Sequence, residues 1–283
     1  MTDGTAPSYD IRELLAFYAS AGVDDALCDE PVDRFAESMK PPLAVQPAGP
    51  APAAPSERPH RAAPEAPPSP QRPQPQAKVP DEGQAALARE LAAKASSLEE
   101  LRSILAAFDG CNLKTTAKST VFADGNPEAD LMLVGEAPGR DEDIEGLPFV
   151  GRSGQLLDRM LAAIGLDRTK VYIANVIPWR PPGNRTPTPH ETEICRPFIE
   201  RQIALARPKV LVTLGGPSAK VLLNASEGVL RLRGNWRQHV TADGTVIPAM
   251  PTLHPAYLLR NPAHKKLAWR DFLEIKDRLR ALS

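Results

Sequence analysis

Apolar residues recur along the last two thirds of the chain at two alternating spacings, short uninterrupted runs and helical repeats. The run 131–135 ends at a glycine turn and predicts a buried strand. The next segment has apolar residues at 156, 157, 160, 161 and 164, which predicts a helix over 152–165. Further strands are predicted at 171–174, 209–214 and 245–250, and further helices at 190–206, 218–223 and 263–281. Strands that alternate with helices indicate an α/β fold, and we predict a three-layer α/β/α sandwich with a central, mostly parallel sheet.

The part of the chain before residue 83 has a different pattern. Residues 1–40 contain the amphipathic stretch YDIRELLAFYASAG, which predicts an acidic N-terminal helical segment that packs on the core or binds a protein partner. Residues 41–82 predict a disordered linker, because 14 of the residues in 41–80 are proline. The helical pattern resumes at residue 83, and Ser97 followed by Glu100 is a capping-box signal. We therefore expect one folded domain at 83–283.

Charge is distributed unevenly, although the formal net charge is only −1. Residues 1–40 hold nine acidic and three basic side chains, whereas residues 231–280 hold ten Lys or Arg and four Asp or Glu. A basic region suits the phosphate backbone of a nucleic acid, and an exposed helix with charges of both signs explains part of it.

Cysteine content and hydropathy indicate where the protein works. Cys28, Cys111 and Cys195 are odd in number and far apart, which argues against a disulfide framework and is typical of a reducing cytoplasm. The sequence has no apolar run of about 18 residues and no secretory signal pattern, so we expect a cytoplasmic protein without a membrane partner.

Candidate chemistry follows three of the predicted strands. Glu136 comes after the first strand, Asn175 after the second and His254 after the last. Because the carboxyl ends of parallel strands share one edge of a sheet, we expect these side chains to lie together. An amide can both donate to and accept from one edge of a base, a histidine can donate to a carbonyl oxygen, and a carboxylate can position or activate water.

The loop after the first strand adds two further features. Phe149 offers a flat apolar face, and Gly151 and Ser153 lie at the start of the next predicted helix, where free backbone N–H groups suit a phosphate. A carboxylate, an aromatic face and an anion site together predict a nucleotide pocket. The simpler alternative is that the glycines mark turns and Phe149 belongs to the core.

Three long stretches, GEAPGRDEDIEGLPFVGRSGQLL, NVIPWRPPGNRTPTPHE and HPAYLLR, closely resemble the motifs of family 4 uracil-DNA glycosylases. The resemblance covers roughly residues 100–280, with the motifs in the family's order. It implies a hydrolase of base excision repair that flips uracil out of damaged DNA and cleaves its N-glycosidic bond. The expected substrate is uracil-containing DNA, and the expected product is abasic-site DNA. We expect a monofunctional enzyme that acts as a monomer.

The same resemblance suggests a role for each motif residue. Glu136 matches the carboxylate that handles water, and His254 matches the catalytic histidine. Asn175 matches the amide that reads uracil, and Phe149 matches the aromatic that stacks on it. The residues that resemble the backbone at uracil are Gly135 and Ala137, and those that resemble the loop entering the duplex are Leu258, Leu259 and Arg260.

Family 4 enzymes carry a [4Fe–4S] cluster on four cysteines, and this chain departs from that pattern. By resemblance, the four ligand positions are Phe108, Cys111, Trp179 and Cys195. Because two thiolates are too few for such a site, we expect no cluster, no bound metal and no other cofactor, with the two aromatic rings filling the space. Both cysteines then act as small buried apolar residues, and a zinc site completed by histidines is the weaker alternative.

Two other functions compete with this prediction. Some relatives of family 4 trap DNA covalently through a histidine in an inserted basic loop, but here the corresponding loop is the short PPGNRTPTP, so we expect no covalent trapping. The main alternative is a non-catalytic protein that binds uracil or abasic sites in DNA. A nucleotide-binding regulatory module that recruits a partner through residues 1–40 has less support.

Overall fold

The computed structural model describes residues 83–282, and the predictions made for residues 1–82 lie outside the described residues. Within this range the chain forms six strands and ten α-helices. The strands are β1 (Asp124–Gly125), β2 (Leu131–Gly135), β3 (Tyr172–Asn175), β4 (Val210–Leu214), β5 (Arg237–Val240) and β6 (Val246–Thr252). The helices are α1 (Gly83–Lys94), α2 (Leu98–Ala107), α3 (Leu113–Thr116), α4 (Arg140–Glu145), α5 (Arg152–Ala163), α6 (Pro189–Ala206), α7 (Gly216–Leu223), α8 (Val229–Leu232), α9 (Pro255–Arg260) and α10 (Lys265–Leu282).

All six strands belong to one sheet with the order β1-β3-β2-β4-β6-β5. The four central strands β3, β2, β4 and β6 run parallel, and the two edge strands β1 and β5 are antiparallel to their neighbours. Parallel register places Gly135 beside Asn175 and Leu214 beside Thr252, so these strand ends share one edge of the sheet. The predicted mostly parallel sheet is confirmed.

Alternate residues of the central strands bury opposite faces of the sheet, as the period of two requires. Met132 and Val134 of β2 belong to a core with α1, α2 and α6, whereas Leu131 and Leu133 belong to a second core with α5 and α10. Helices therefore cover both faces, and the predicted three-layer α/β/α sandwich is confirmed. No described helix combines the length and the hydropathy that crossing a bilayer requires.

The boundaries of the long elements agree closely with the sequence pattern, whereas several short helices and strands were not predicted. The predicted cap is present, because the Ser97 hydroxyl accepts the N–H of Glu100 at 3.2 Å. The segment 252–262, which we expected to be a loop, contains α9, because Pro255 at its first turn has the fixed φ that a helix start accepts. The short edge strands β1 and β5 were not predicted, since two and four residues carry little periodic signal.

Candidate active site

A cavity of about 510 Å³ opens at the carboxyl ends of the parallel strands. Its lining includes Glu136 after β2, Asn175 at the end of β3, Leu214 at the end of β4 and His254 after β6. The structure therefore brings together the three polar side chains that the sequence placed after separate strands. Such a crevice is where open α/β sheets bind ligands.

Asn175 lines this cavity and carries an unsatisfied polar atom. Its side chain is buried, and its oxygen has no hydrogen-bond partner among the described residues. The neighbouring strand carries Gly135, where a Cβ would overlap the Asn175 oxygen and lie 2.7 Å from Cζ of Phe149. A glycine is therefore required here, and a buried oxygen is left available to a ligand that donates a hydrogen bond.

Phe149 forms an aromatic wall of the cavity. Its ring is buried, and its centroid lies 5.5 Å from that of the His254 ring at an interplanar angle of 30°. Phe149 is one of four non-glycine residues with positive φ among those described, at 56°. A left-handed backbone is unusual for a bulky residue and persists only where the surroundings impose it.

His254 is the N-cap residue of α9, and this fixes its tautomer. Its Nδ1 accepts the N–H of Ala256 at 3.1 Å, so in the neutral ring the proton is on Nε2. Burial, followed by the positive charge of Arg260, lowers the pKa of His254 to about 4. Near neutral pH the ring is therefore uncharged and carries one N–H donor.

Glu136 and Ala137 line the cavity directly after β2. Burial raises the pKa of the Glu136 carboxyl above its ordinary value of 4.5. A carboxylate that is partly removed from water is a stronger proton acceptor than an exposed one, which suits a group that orients or activates water.

The backbone N–H groups at the start of α5 are not all free, as the prediction of a phosphate site required. The N–H of Gly151 is not free, because it donates to the Glu142 carboxylate at 3.0 Å, and the same carboxylate accepts the N–H of Gly139 at 3.0 Å. Glu142 thus ties the loop after β2 to the helix. Ser153, two residues further on, does line the cavity. The expected role of the Gly151 N–H as a phosphate donor is corrected on this evidence.

The predicted DNA-entering loop is also only partly at the surface. Leu258 is 1% exposed and packs with Leu253 and Ala268, so its expected role as a wedge is corrected. Leu259 is 38% exposed, and Arg260 is exposed and lines the cavity. Leu258 and Leu259 differ in exposure because both lie on α9, where neighbouring residues of a helix point about 100° apart.

Arg185 is a cavity residue that our sequence reasoning missed. It pairs with Glu191 through two hydrogen bonds of 2.9 and 2.6 Å, and Glu191 also accepts the N–H of Thr188 at 2.7 Å. The pairing with Arg185 is the main cause that lowers the pKa of Glu191. The Thr-x-x-Glu spacing at 188–191 is a capping-box signal that would have marked this anchored loop.

The two described cysteines lie in the core, with Cys195 on α6 and Cys111 just before α3. Their Sγ atoms are 4.0 Å apart, and both are buried in the same cluster as Phe108 and Trp179. The Trp179 indole N–H donates to the Thr120 hydroxyl at 3.0 Å. Within residues 83–282, no group of three or more His, Cys, Asp or Glu side chains is arranged to hold a metal ion.

Comparison with known proteins gives consistent matches. Residues 122–273 match the family described as the uracil DNA glycosylase superfamily. A type-4 uracil-DNA glycosylase of Sulfurisphaera tokodaii is 38% identical over 186 residues, which is 64% of this chain and 84% of that protein. A type-4 uracil-DNA glycosylase of Archaeoglobus fulgidus is 39% identical over 185 residues, covering 64% of this chain and 92% of the relative. A further one, from Thermotoga maritima, is 38% identical over 156 residues, or 55% and 79% of the two chains.

Proposed function

This chain belongs to the uracil DNA glycosylase superfamily, and we propose that it is a DNA repair enzyme that removes uracil from DNA. The observation that carries the proposal is the convergence of Glu136, Phe149, Asn175 and His254 on one cavity. Each has the chemistry that excision of a flipped pyrimidine requires, and the sheet holds three of them at the carboxyl ends of the parallel strands β3, β2 and β6.

Recognition begins when uracil leaves the base stack, which costs a few kcal/mol and is the step that lets an enzyme reach the glycosidic bond. In this proposal Phe149 stacks on the base, and the Asn175 amide pairs with the ring N–H and the adjacent carbonyl. Gly135 and Ala137 supply the close backbone. Cytosine is rejected because its ring nitrogen accepts where that of uracil donates, so a fixed amide would face a mismatched partner.

Bond cleavage makes the sugar cationic and the leaving uracil anionic. His254 donates its Nε2–H to the uracil carbonyl oxygen on which negative charge collects, which stabilises the transition state more than the ground state. Because the ring is neutral, it donates this hydrogen bond without bringing a positive charge into the site. The Glu136 carboxylate, which lines the cavity, stabilises the cationic sugar and orients water. Water supplies the hydroxyl of the abasic sugar and the proton that uracil gains.

We propose that the reaction is monofunctional, since hydrolysis needs no amine nucleophile. Leu259 acts as the wedge that fills the vacated stack, and Arg260 and Ser153 contact phosphate. A borohydride trap tests this step. We expect alkali-labile abasic sites in a uracil oligonucleotide and no protein–DNA adduct. An adduct trapped by borohydride would instead indicate a Schiff base. Specific binding without abasic sites would favour the non-catalytic alternative.

We also propose that the chain carries no iron–sulfur cluster. The side chains at the four positions do not fit one, because Phe108 and Trp179 have no atom that ligates iron and only Cys111 and Cys195 remain. The support is packing, since all four residues belong to one buried cluster. The aromatic rings then contribute to stability by apolar burial rather than by metal coordination.

The packing proposal predicts a large effect at Trp179. Because this ring is 1% exposed, Trp179→Ala should lower the free energy of unfolding by about 3–5 kcal/mol through cavity formation. The matched control is Trp269→Ala on α10, where the ring is 43% exposed and the expected change is within about 0.5 kcal/mol. Urea unfolding measures both. Equal losses in the two variants would contradict the packing role of Trp179.

The raised pKa of Glu136 predicts the acidic side of the pH profile. If the carboxylate form is required, kcat falls as pH drops through the pKa of Glu136, which lies above the ordinary 4.5. Protonation of His254 begins only near its pKa of about 4, so it does not account for a decline at higher pH. Single-turnover excision across the acidic range measures the midpoint. A Glu136→Gln variant should be slower and should lose this pH dependence. A wild-type midpoint near pH 4 would assign the loss of activity at acidic pH to His254 instead.

A further inference from the structure

The backbone of Phe149 needs an external anchor. Its φ of 56° lies in the left-handed region, which a bulky aromatic residue rarely adopts. An isolated loop would relax this residue to a negative φ, and the ring would then leave its place against Gly135 and His254. Something outside the loop must therefore hold the peptide in place.

Arg168 makes the contacts that such an anchor requires. Its guanidinium donates to the carbonyl oxygens of Pro148, at 3.2 Å, and of Phe149. The same group is fixed by two carboxylates, with Nε 2.8 Å from Asp158 on α5 and Nη1 2.6 Å from Asp124 on β1. One side chain thus joins two consecutive carbonyls of the Phe149 loop to a helix and to the edge of the sheet.

Packing leaves the Phe149 peptide little freedom on its other sides. A Cβ at Gly154 would overlap the Phe149 carbonyl, and a Cβ at Gly135 would lie 2.7 Å from the ring tip. The carbonyl is therefore confined between the start of α5 and Arg168, while the ring is confined against the strand end. A displacement of the carbonyl would be transmitted directly to the ring.

We propose that Arg168 is a positioning residue for uracil, which orients the Phe149 ring for stacking by holding its strained peptide. The inference rests on the proposed function, in which Phe149 contacts the base. Arg168 does not line the cavity and acts only through Phe149. Lysine is not an equivalent here, because a single ammonium group lacks the planar fork that reaches two carboxylates and two carbonyls together.

The test compares Arg168→Lys with Arg201→Lys in the full chain. Arg201 is a matched control, since its guanidinium also donates to a backbone carbonyl, that of Ala95 at 3.0 and 2.6 Å, but lies outside the cavity lining. Three quantities are measured at a temperature where every variant is folded: inhibition by free uracil, kcat for excision, and affinity for duplex DNA with a tetrahydrofuran abasic analogue.

For Arg168→Lys we expect at least about a tenfold weaker inhibition by uracil and at least about a tenfold lower kcat, as ångström-scale misplacement of a contact group produces. Affinity for the abasic analogue, which offers no base to stack, should change by less than about threefold. Arg201→Lys should leave all three near the wild-type values. If Arg168→Lys is less stable but binds uracil as the wild type does, Arg168 is merely structural and the inference is overturned.

Three further outcomes remain distinguishable. If Arg168→Lys does not fold, Asp158→Asn is tested instead, because it removes only one anchor of the guanidinium. This variant should also weaken inhibition by uracil. Unchanged inhibition would overturn the inference. If the wild type binds uracil but excises none, the proposed function fails, and uracil binding by the variants still decides the role of Arg168. If the wild type neither excises nor binds uracil, both proposals fail.

Discussion

Replacement of His254 by serine is expected to lower kcat for uracil excision by a factor of about 10²–10³, the loss typical of removing one donor to a developing oxyanion. The Nε2–H of His254 is the donor that the neutral tautomer supplies at the cavity. Serine is too short to reach the same position. Single-turnover kinetics with saturating enzyme measure the chemical step directly.

Serine is chosen because it keeps the other function of His254. The Nδ1 atom caps α9 by accepting the N–H of Ala256, and serine is a good N-cap acceptor. The variant should therefore retain the start of α9 and a melting temperature close to that of the wild type. Activity within about threefold of the wild type would remove His254 from the mechanism, because a lost donor costs far more.

Asn175→Leu should have a still larger effect on activity, with a loss on the order of 10³–10⁴ in kcat/KM. A site built to hydrogen-bond its substrate loses this much when the partner is removed. The fold should not suffer, because the Asn175 oxygen is already buried without a partner and such an atom costs about 1–3 kcal/mol. We expect an unchanged or raised melting temperature.

Excision kinetics and thermal unfolding on the same Asn175→Leu sample check this combination. A stable but inactive variant supports a buried amide that is kept for the ligand. A variant that loses stability and activity together would show that Asn175 is needed mainly by the fold. Retained activity would contradict its proposed role in reading uracil.

The sequence predicted much of the site because its chemistry follows strand ends. Glu136, Asn175 and His254 each lie at or shortly after the end of a strand, and parallel strands necessarily bring such positions to one edge. The aromatic wall was found for a similar reason, since Phe149 lies in the loop between a predicted strand and a predicted helix.

What the sequence did not reveal depends on contacts between distant segments. Arg168 reaches Asp124, 44 positions away, and the carbonyl of Phe149, 19 positions away, and no local pattern marks such a pairing. The Gly151 N–H looked free because Glu142 can be recognised as its acceptor only in the folded loop. Leu258 and Leu259 looked equivalent because the segment lacked the length of apolar repeat that predicts a helix.

We propose a uracil-DNA glycosylase whose cluster site is replaced by side-chain packing, and one sample of protein tests both properties. The full chain, as purified, is incubated with a uracil-containing oligonucleotide, and released uracil and abasic sites are quantified beside the iron content and the absorbance at about 400 nm, where iron–sulfur clusters absorb. We expect equal amounts of free uracil and abasic sites, with no iron and no such absorbance. Stoichiometric iron in active protein would contradict the packing account, and bound uracil-DNA without release of uracil would contradict the enzyme itself.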